Sequence, residues 1–456
     1  MKYDGVLRQS YPGAKNPELL LYYTLKGKSN KDNAIKDYLA TGKFESNVSE
    51  FEIIKPLTCS NPVQVNDPNF VNSNGWPLMM IQAPCAWSIT KGNAGILIGV
   101  VDTEFRTTHE DWIASIGYNS KIAGYIVPQV IPYTYSPDDI RDGIWALHQA
   151  GVKVINVSWG GTGLLSATAG EITRNGTTLV LSGGNNPNDY NHSSIADTAG
   201  VIVVSSVDIN NMHGPTGRAH NQLIDICAHG KDIMCANTYF DNRYALSSGS
   251  SEAAAFVSGT IALMLSVNPY LTPAEIENVL KSTADPIADG NSFFGQLGAG
   301  RLNAYAAVYA VAPRISGFTT IYPCNPYLYT AYNALPSFTW GCSSNLSMTT
   351  NGNQATVTAS SSGSGPAYLT IKNSSGVEIF RLNITVLGAK PIITNLNGPS
   401  AIYTNGSFNT YTVYTTCATP LSYIWSVSDW IPTSWYTINS FGSYAKIAFY
   451  NSAVLD

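Results

Sequence analysis

Three short segments carry side chains that could do chemistry. Ile98-Gly99-Val100-Val101-Asp102-Thr103 is an apolar, β-branched run that ends on a carboxylate. Open α/β sheets place ligands and catalytic groups at the C-terminal ends of their strands, so Asp102 reads either as a catalytic carboxylate or as the cap of the next loop or helix. Leu179-Val180-Leu181 runs into Ser182-Gly183-Gly184-Asn185. Two glycines let a substrate backbone approach closely, and an Asn185 side-chain N–H could stabilise a developing oxyanion. An ordinary strand-to-turn connection has the same composition. Ser248-Gly249-Ser250-Ser251 opens a long apolar stretch of helical character. Ser251 there is either a nucleophile beside the unpaired N–H groups and positive dipole end of a helix, or simply an N-cap.

The elements that must position these residues follow from the surrounding pattern. Short β-branched runs at 96–103, 152–160, 177–184 and 201–207 alternate with helical segments such as Asp138–Ala150 and Ser251–Val267. Buried strands read as continuous apolar runs, and their alternation with helices predicts a parallel α/β sheet. From Pro313 onward the helical period stops, and Thr, Tyr, Ser, Asn and Gly dominate with frequent turn signals. That change predicts β-sandwich modules. The β region also repeats: Ile321-Tyr322 with Trp340 recurs as Ile402-Tyr403 with Trp425, and Gly388-Ala389-Lys390-Pro391 marks the join. Two tandem sandwiches are therefore expected, at 313–389 and 390–456, the second stopping short of the first's length. The predicted fold class is a parallel α/β domain over 59–312 followed by two all-β sandwich modules. Residues 1–58 read as a small α+β piece, with an apolar run at Leu19–Tyr23, a charged helical segment at Lys31–Ala40 and a strand-like segment ending near Ile54.

The order Asp, then Asn, then Gly-x-Ser-x-Ala at a helix start resembles the subtilisin-like serine peptidases, the subtilases. The flanks are similar too: Trp87-Ser88-Ile89-Thr90-Lys91-Gly92 before the Asp strand, His109-Glu110-Asp111-Trp112 after it, Asn268-Pro269 with Leu271-Thr272, and Gly298-Ala299-Gly300-Arg301-Leu302-Asn303-Ala304. The resemblance covers about 66–312. It implies Ser251 as nucleophile, Asp102 as the triad carboxylate and Asn185 as the oxyanion donor. Ser158-Trp159-Gly160 resembles the strand that pairs with substrate and walls the specificity pocket, and Ser182, Gly183 and Gly184 complete the implied substrate-binding set. The implied reaction is endopeptidase acyl transfer on a protein or peptide. Residues 1–58 resemble the remnant of a folding propeptide, and the tail resembles Ig- or PKD-like modules of secreted bacterial proteases. Calcium accompanies many members, but no cluster of ligands assigns a metal site, so no cofactor is expected.

One part of the family pattern is absent. The general base belongs in an H-G-T-H-V-A-G helix between the Asp motif and the substrate-binding strand, and no such stretch occurs. The six histidines are His109, His148, His192, His213, His220 and His229. His109 occupies the family's non-catalytic H-x-D-W position, and His148 ends the helix that feeds the 152–157 strand. Lys121–Tyr125 resembles the strand before the missing helix and Ile126–Ile131 a strand well after it, so the two abut as though a segment had been excised. Such a loss leaves an apolar face uncovered and a serine without its base. Glu104, Glu252 and the pair Ala255-Phe256 depart further from the family pattern. The expectation is an impaired peptidase; the competing expectation is a secreted pseudoprotease used for binding or adhesion.

Composition narrows the setting. The chain has 456 residues with 25 basic and 30 acidic side chains, which gives no basic excess with which to neutralise phosphates and argues against nucleic acid. Charged residues are 12% of the chain, well below the ~25% usual in globular proteins and in keeping with secretion or a cell-surface location. No apolar run of membrane-spanning length is expected, and no signal peptide is visible at MKYDGVLRQS. Oligomeric state is not specified. Seven cysteines lack C-x-x-C spacing; Cys227 with Cys235 and Cys324 with Cys342 are the pairings considered for disulfides, with reduced, buried thiols as the alternative.

Overall fold

The computed structural model describes residues 5–9, 23–27, 59, 62–65, 75–103, 105, 115–128, 136–236, 243–389, 392–399, 407–417, 424–427, 433–441 and 443–449. Two compact units divide the chain, Met1–Thr58 and Cys59–Asp456. In the first, strands β1 (Gly5–Gln9) and β2 (Tyr23–Gly27) pair antiparallel, Gly5 opposite Gly27. The segments expected at Lys31–Ala40 and near Ile54 lie outside the described residues.

The second unit opens with helices α1 (Trp76–Met80) and α2 (Ala83–Ile89). A six-stranded sheet follows, in the spatial order β4-β3-β5-β6-β7-β8 and parallel throughout. Its strands are β3 (Leu97–Asp102), β4 (Lys121–Ile126), β5 (Val154–Val157), β6 (Thr178–Ser182), β7 (Val201–Val207) and β8 (Ile226–His229). The four strands β5 to β8 are buried along their whole length, as continuous apolar runs require. Helix α3 (Pro137–Gln149) starts where Ser136 accepts from the Asp138 N–H and Pro137 occupies the first turn. With α4 (Ser166–Arg174) it packs on one face of the sheet around Ile144, Ile155, Ile172 and Leu179.

The opposite face carries α5 (Ser250–Val267), thirteen of whose residues are buried. At 18 residues it is apolar and long enough to cross a membrane, which corrects the expectation that no segment reaches that length; 72% of it is buried inside the domain, which makes it a core helix here. Gly259 lets α5 approach the turn at Ser115–Gly117, because a Cβ there would stand 1.8 Å from Ile116 Cγ2. Helix α6 (Pro273–Ser282) begins with a capping box between Thr272 and Glu275, and α7 (Ala304–Val311) is capped by Asn303.

Beyond α7 the chain becomes all β. Eight strands make two four-stranded sheets, one in the spatial order Arg314–Ser316, Pro326–Tyr332, Gln354–Ala359, Leu346–Asn351 and the other in the order Thr320–Ile321, Glu378–Val386, Gly365–Lys372, Thr339–Cys342. Their inner faces enclose Tyr329, Val357, Leu369, Ile371 and Ile384. The short pair of Thr320–Ile321 with Glu378–Val386 is parallel, and the other pairs in these two sheets are antiparallel. Arg314 fits between the rings of Tyr309 and Tyr332, and Asn333 donates to the Ala310 and Ala312 carbonyls at the end of α7. The last described strands form a single antiparallel sheet in the order Ile392–Asn397, Phe408–Thr416, Tyr444–Phe449, Tyr436–Phe441, with Trp425 packed against Ala445 and Ile447. Cys324 and Cys417 form a disulfide between the two β regions. The pairings considered from the sequence are thus corrected: Cys227, Cys235 and Cys342 are free thiols. Proximity in sequence misleads because the module folds Cys324 toward a partner 93 residues away.

Candidate active site

Side chains alternate across a strand, so Ile98, Val100 and Asp102 of β3 share the face that looks at α5, while Val101 turns into the core on the α3 side. Ile122 of β4 and Asn156 of β5 join that face. Together with Ser158, Trp159, Cys235 and, from α5, Ser251, Glu252, Ala255, Ser258 and Gly259, they line a cavity of about 550 Å³. The fold therefore brings Asp102, Ser158, Trp159 and Ser251 to one cavity wall. The Asp102 carboxylate accepts from the Thr103 N–H at 2.7 Å, and the Asp102 carbonyl accepts from Val127 N–H at 2.8 Å. Asn156 bridges strand and helix: it accepts from the Ser258 hydroxyl and donates to Ser158 Oγ, both at 3.1 Å.

The start of α5 is held from a distance. Gly249 offers no side-chain cap; instead Asn185 Oδ1 accepts from the Ser250 backbone N–H at 2.9 Å and from the Ser250 hydroxyl at 3.1 Å. Because Oδ1 is committed to the helix end, the Asn185 amide is oriented and its Nδ2 group points elsewhere. A Cβ on Gly249 would stand 3.0 Å from Asn185 Nδ2 and 3.1 Å from Glu252 Oε2, which places amide and carboxylate on either side of that glycine. Ser250 is fully buried. Its Oγ hydrogen-bonds Ser182 Oγ at 2.5 Å and accepts from Gly184 N–H at 3.1 Å. Gly184 has φ +110, open to glycine alone at low cost, and a Cβ there would meet the Asp189 side chain at 2.5 Å. Asp189 in turn accepts from the Asn185 and Asn186 N–H groups at 2.9 Å.

Not every residue expected at the site reaches the cavity. Ser182, Gly183 and Gly184 are buried behind it: Ser182 bonds Ser250, and Gly183 N–H donates to the Val204 carbonyl. Gly160 is exposed and lies outside the cavity lining, near Asn191. The residues not singled out from sequence are Ser250, Asn156, Ser258 and Cys235. Ser250 stood beside the reactive-looking serine, and only its burial shows that one of the two adjacent hydroxyls is a structural hub. Burial and the Glu252 carboxylate push the Cys235 thiol up to about 11.

No histidine lines this cavity among the described residues. His148 Nδ1 bonds Thr177 Oγ1 at 2.9 Å, at the N-terminal edge of the sheet and away from Asp102. His192 Nε2 bonds the Ser182 carbonyl, His213 Nδ1 the Ser206 carbonyl and His229 Nδ1 the Asp208 carbonyl. Burial pushes all three down to about 4. His220 donates or accepts at His213 Nε2, 3.3 Å away. His109 and Glu104 lie outside the described residues. The second strand expected over Ile126–Ile131 does not begin at Ile126, which is the last residue of β4; the hydrogen bond from Val127 to Asp102 ends that strand, and 129–131 lie outside the described residues. Among the described residues no group of three His, Cys, Asp or Glu side chains converges.

Residues 105–300, which carry this arrangement from just beyond Asp102 through Ser251, match the model of the subtilase family. This stretch is a subtilase domain. The chain is similar to the "Extracellular protease" of Xanthomonas campestris pv. campestris, 36% identical over 35% of this chain and 28% of that protein. It is also similar to "Subtilisin DY" of Bacillus licheniformis, 27% identical over 47% of this chain and 91% of that protein. Among solved structures, a protease from Pseudoalteromonas arctica PAMC 21717 is 25% identical, covering 55% of this chain and 99% of its own, with a TM-score of 0.44. The chain thus spans about a quarter of the length of the Xanthomonas relative and nine-tenths of the Bacillus one. The subtilase domain is followed here by the β sheets described above.

Proposed function

We propose that the subtilase domain, bounded at 59–312, is a serine-type endopeptidase whose nucleophile is Ser251 and whose turnover is impaired for want of a general base. The observation that carries this reading is the shared cavity: Asp102 and Ser251 open on the same space, with Ser158 and Trp159 on its wall. Ser251 Oγ attacks the scissile carbonyl of a bound peptide, and Asn185 Nδ2, freed by the commitment of Oδ1 to Ser250, donates to the oxyanion that forms. Ser158 and Trp159, on the cavity wall, receive the substrate backbone, while Ser182 and Gly184 hold Ser250 in place behind that wall. A serine hydroxyl is a weak nucleophile without an adjacent base. Loss of the histidine alone costs about 10⁶-fold in kcat, the value subtilisin itself shows, and the proton leaving Ser251 here passes to water. Glu252 further opposes negative charge at the helix start. The disulfide Cys324–Cys417 fits secretion or display outside the cell, with 1–58 as a propeptide remnant and 313–389 and 390–456 as Ig- or PKD-like modules.

A second reading, a pseudoprotease that binds polypeptides without cleaving them, draws on the lack of a histidine in the cavity lining among the described residues. A fluorophosphonate probe followed by mapping of the adduct separates the two. Labelling of Ser251 that is abolished in Ser251→Ala supports the peptidase. A chain that melts cooperatively yet takes no label would leave only the binding reading.

A further inference from the structure

We propose that Cys59 and Cys85 form a second disulfide, which fastens the first residue of the 59–456 unit to helix α2. Both are half-buried thiols in the structure, and the Cys59 and Cys85 side chains meet within hydrogen-bonding reach. The backbone holds them there: Val63 N–H donates to the Pro84 carbonyl at 2.9 Å, which pins the chain shortly after Cys59 to the residue before Cys85. Both thiols also face Tyr305 on α7, whose hydroxyl is pushed up by burial first and then by these two groups. Cys227, Cys235 and Cys342 make no such thiol contact among the described residues; their surroundings are Arg218 and Asp289, Glu252, and burial alone. The chain already holds one disulfide at Cys324–Cys417, so the compartment in which it folds oxidises thiols.

The chemistry is ordinary thiol–disulfide exchange with a small-molecule disulfide such as oxidised glutathione as oxidant. Burial, then the hydrogen bond that the Cys85 thiol donates to Cys59, pushes Cys85 up to about 12. Cys59 is therefore the first nucleophile: its thiolate attacks one sulfur of oxidised glutathione, a protein–glutathione S–S bond forms, and one glutathione thiolate leaves and takes up a proton. Once Cys59 is in the mixed disulfide, its thiolate charge no longer adds to the burial that holds the Cys85 thiol up, and Cys85 loses its proton to solvent. The Cys85 thiolate then displaces the second glutathione, which leaves as a thiolate and is protonated. Two protein thiols lose two electrons and two protons, and one oxidised glutathione becomes two reduced ones. The new bond closes a loop over 59–85 that contains α1, and it holds Cys59 beside α7.

The test uses the whole chain, refolded or secreted in a glutathione redox buffer, alkylated with iodoacetamide in guanidinium without reductant, and mapped by mass spectrometry. Expected is a cross-linked Cys59–Cys85 peptide beside Cys324–Cys417, with alkylation confined to Cys227, Cys235 and Cys342. Alkylated Cys59 and Cys85, or either of them paired elsewhere, overturns the proposal. A second reading comes from melting: Cys59→Ser, Cys85→Ser and the double variant should all melt at the same temperature, roughly 10 °C below the parent for a loop of this length. No shift for Cys59→Ser, or a double variant that melts at the sum of the single shifts, overturns it as well.

Discussion

The two halves of the subtilase sheet are built from similar residues and covered very differently. In β5 to β8 both faces are closed, by α3 and α4 on one side and α5 on the other, and the strands are buried throughout. In β3 and β4 the α3 side is closed, with Val101 buried and Tyr125 packed at Gly143. The α5 side is not: Ile98, Val100 and Ile122 line the cavity, and Ile126 is 59% exposed. Helix α5 reaches this half with Ala262 against Ile98, but Ala255 and Gly259 are too small to fill the space. The lesson is that the catalytic-looking residues stand at the border between the halves. Ser250 and Asn185 belong to the closed, hydrogen-bonded side, while Asp102 and Ser251 face the open one.

Acid should distinguish the halves most strongly. His192 is tied to the end of β6, His213 to β7, and His229 ends β8, so all three belong to the closed half. Each is held neutral, down to about 4, by burial. A folded-state value below the unfolded ~6.5 contributes stability that is present above pH 6.5 and lost as pH falls toward 4. Each group is worth roughly 3 kcal/mol over that window, and His229 Nε2 has no hydrogen-bond partner to receive the new charge. Urea midpoints should therefore drop steeply between pH 6.5 and 4, and replacing His229 by Gln should flatten part of that slope. A midpoint that stays level across the window would mean these rings are not neutral in the fold.

Core truncation gives the next largest contrast. Ile155 is fully buried in the closed half, and Ile155→Ala should cost about 3 kcal/mol. Ile122 already borders open space, so Ile122→Ala should cost about 1 kcal/mol or less. Equal losses in denaturant titrations would show that the β3–β4 face is covered in solution and would erase the distinction between the halves.

The closed half is also the part most legible in the amino-acid sequence. Val201–Val207 is a strand because the uninterrupted apolar, β-branched run Val201–Val204 has no polar face to expose, and Pro137 with Ser136 announces the start of α3. The open half is less legible, because Ile126 closes β4 with its side chain 59% exposed while its neighbour Val127 is buried in the core, so the apolar run does not mark where the strand stops. Asp102 and Ser251, which share the cavity, stand out in the sequence because a carboxylate ends one apolar run and a hydroxyl opens another. Ser250 does not, because only tertiary structure decides which of two neighbouring serines points into the core. The Cys324–Cys417 bridge is hidden for a similar reason: it depends on how two modules meet and leaves no spacing signature.

The pH dependence of fluorophosphonate labelling at Ser251, followed as a second-order rate constant from pH 5.5 to 9.5, tests most directly whether the site holds a nucleophile without its imidazole. With no histidine to take the proton, the logarithm of the rate should rise steadily with pH, tracking deprotonation of the hydroxyl itself, and show no plateau near neutrality. A rate that levels off above an inflection near pH 6.5 to 7 would contradict this, since only an imidazole working beside Ser251 titrates there.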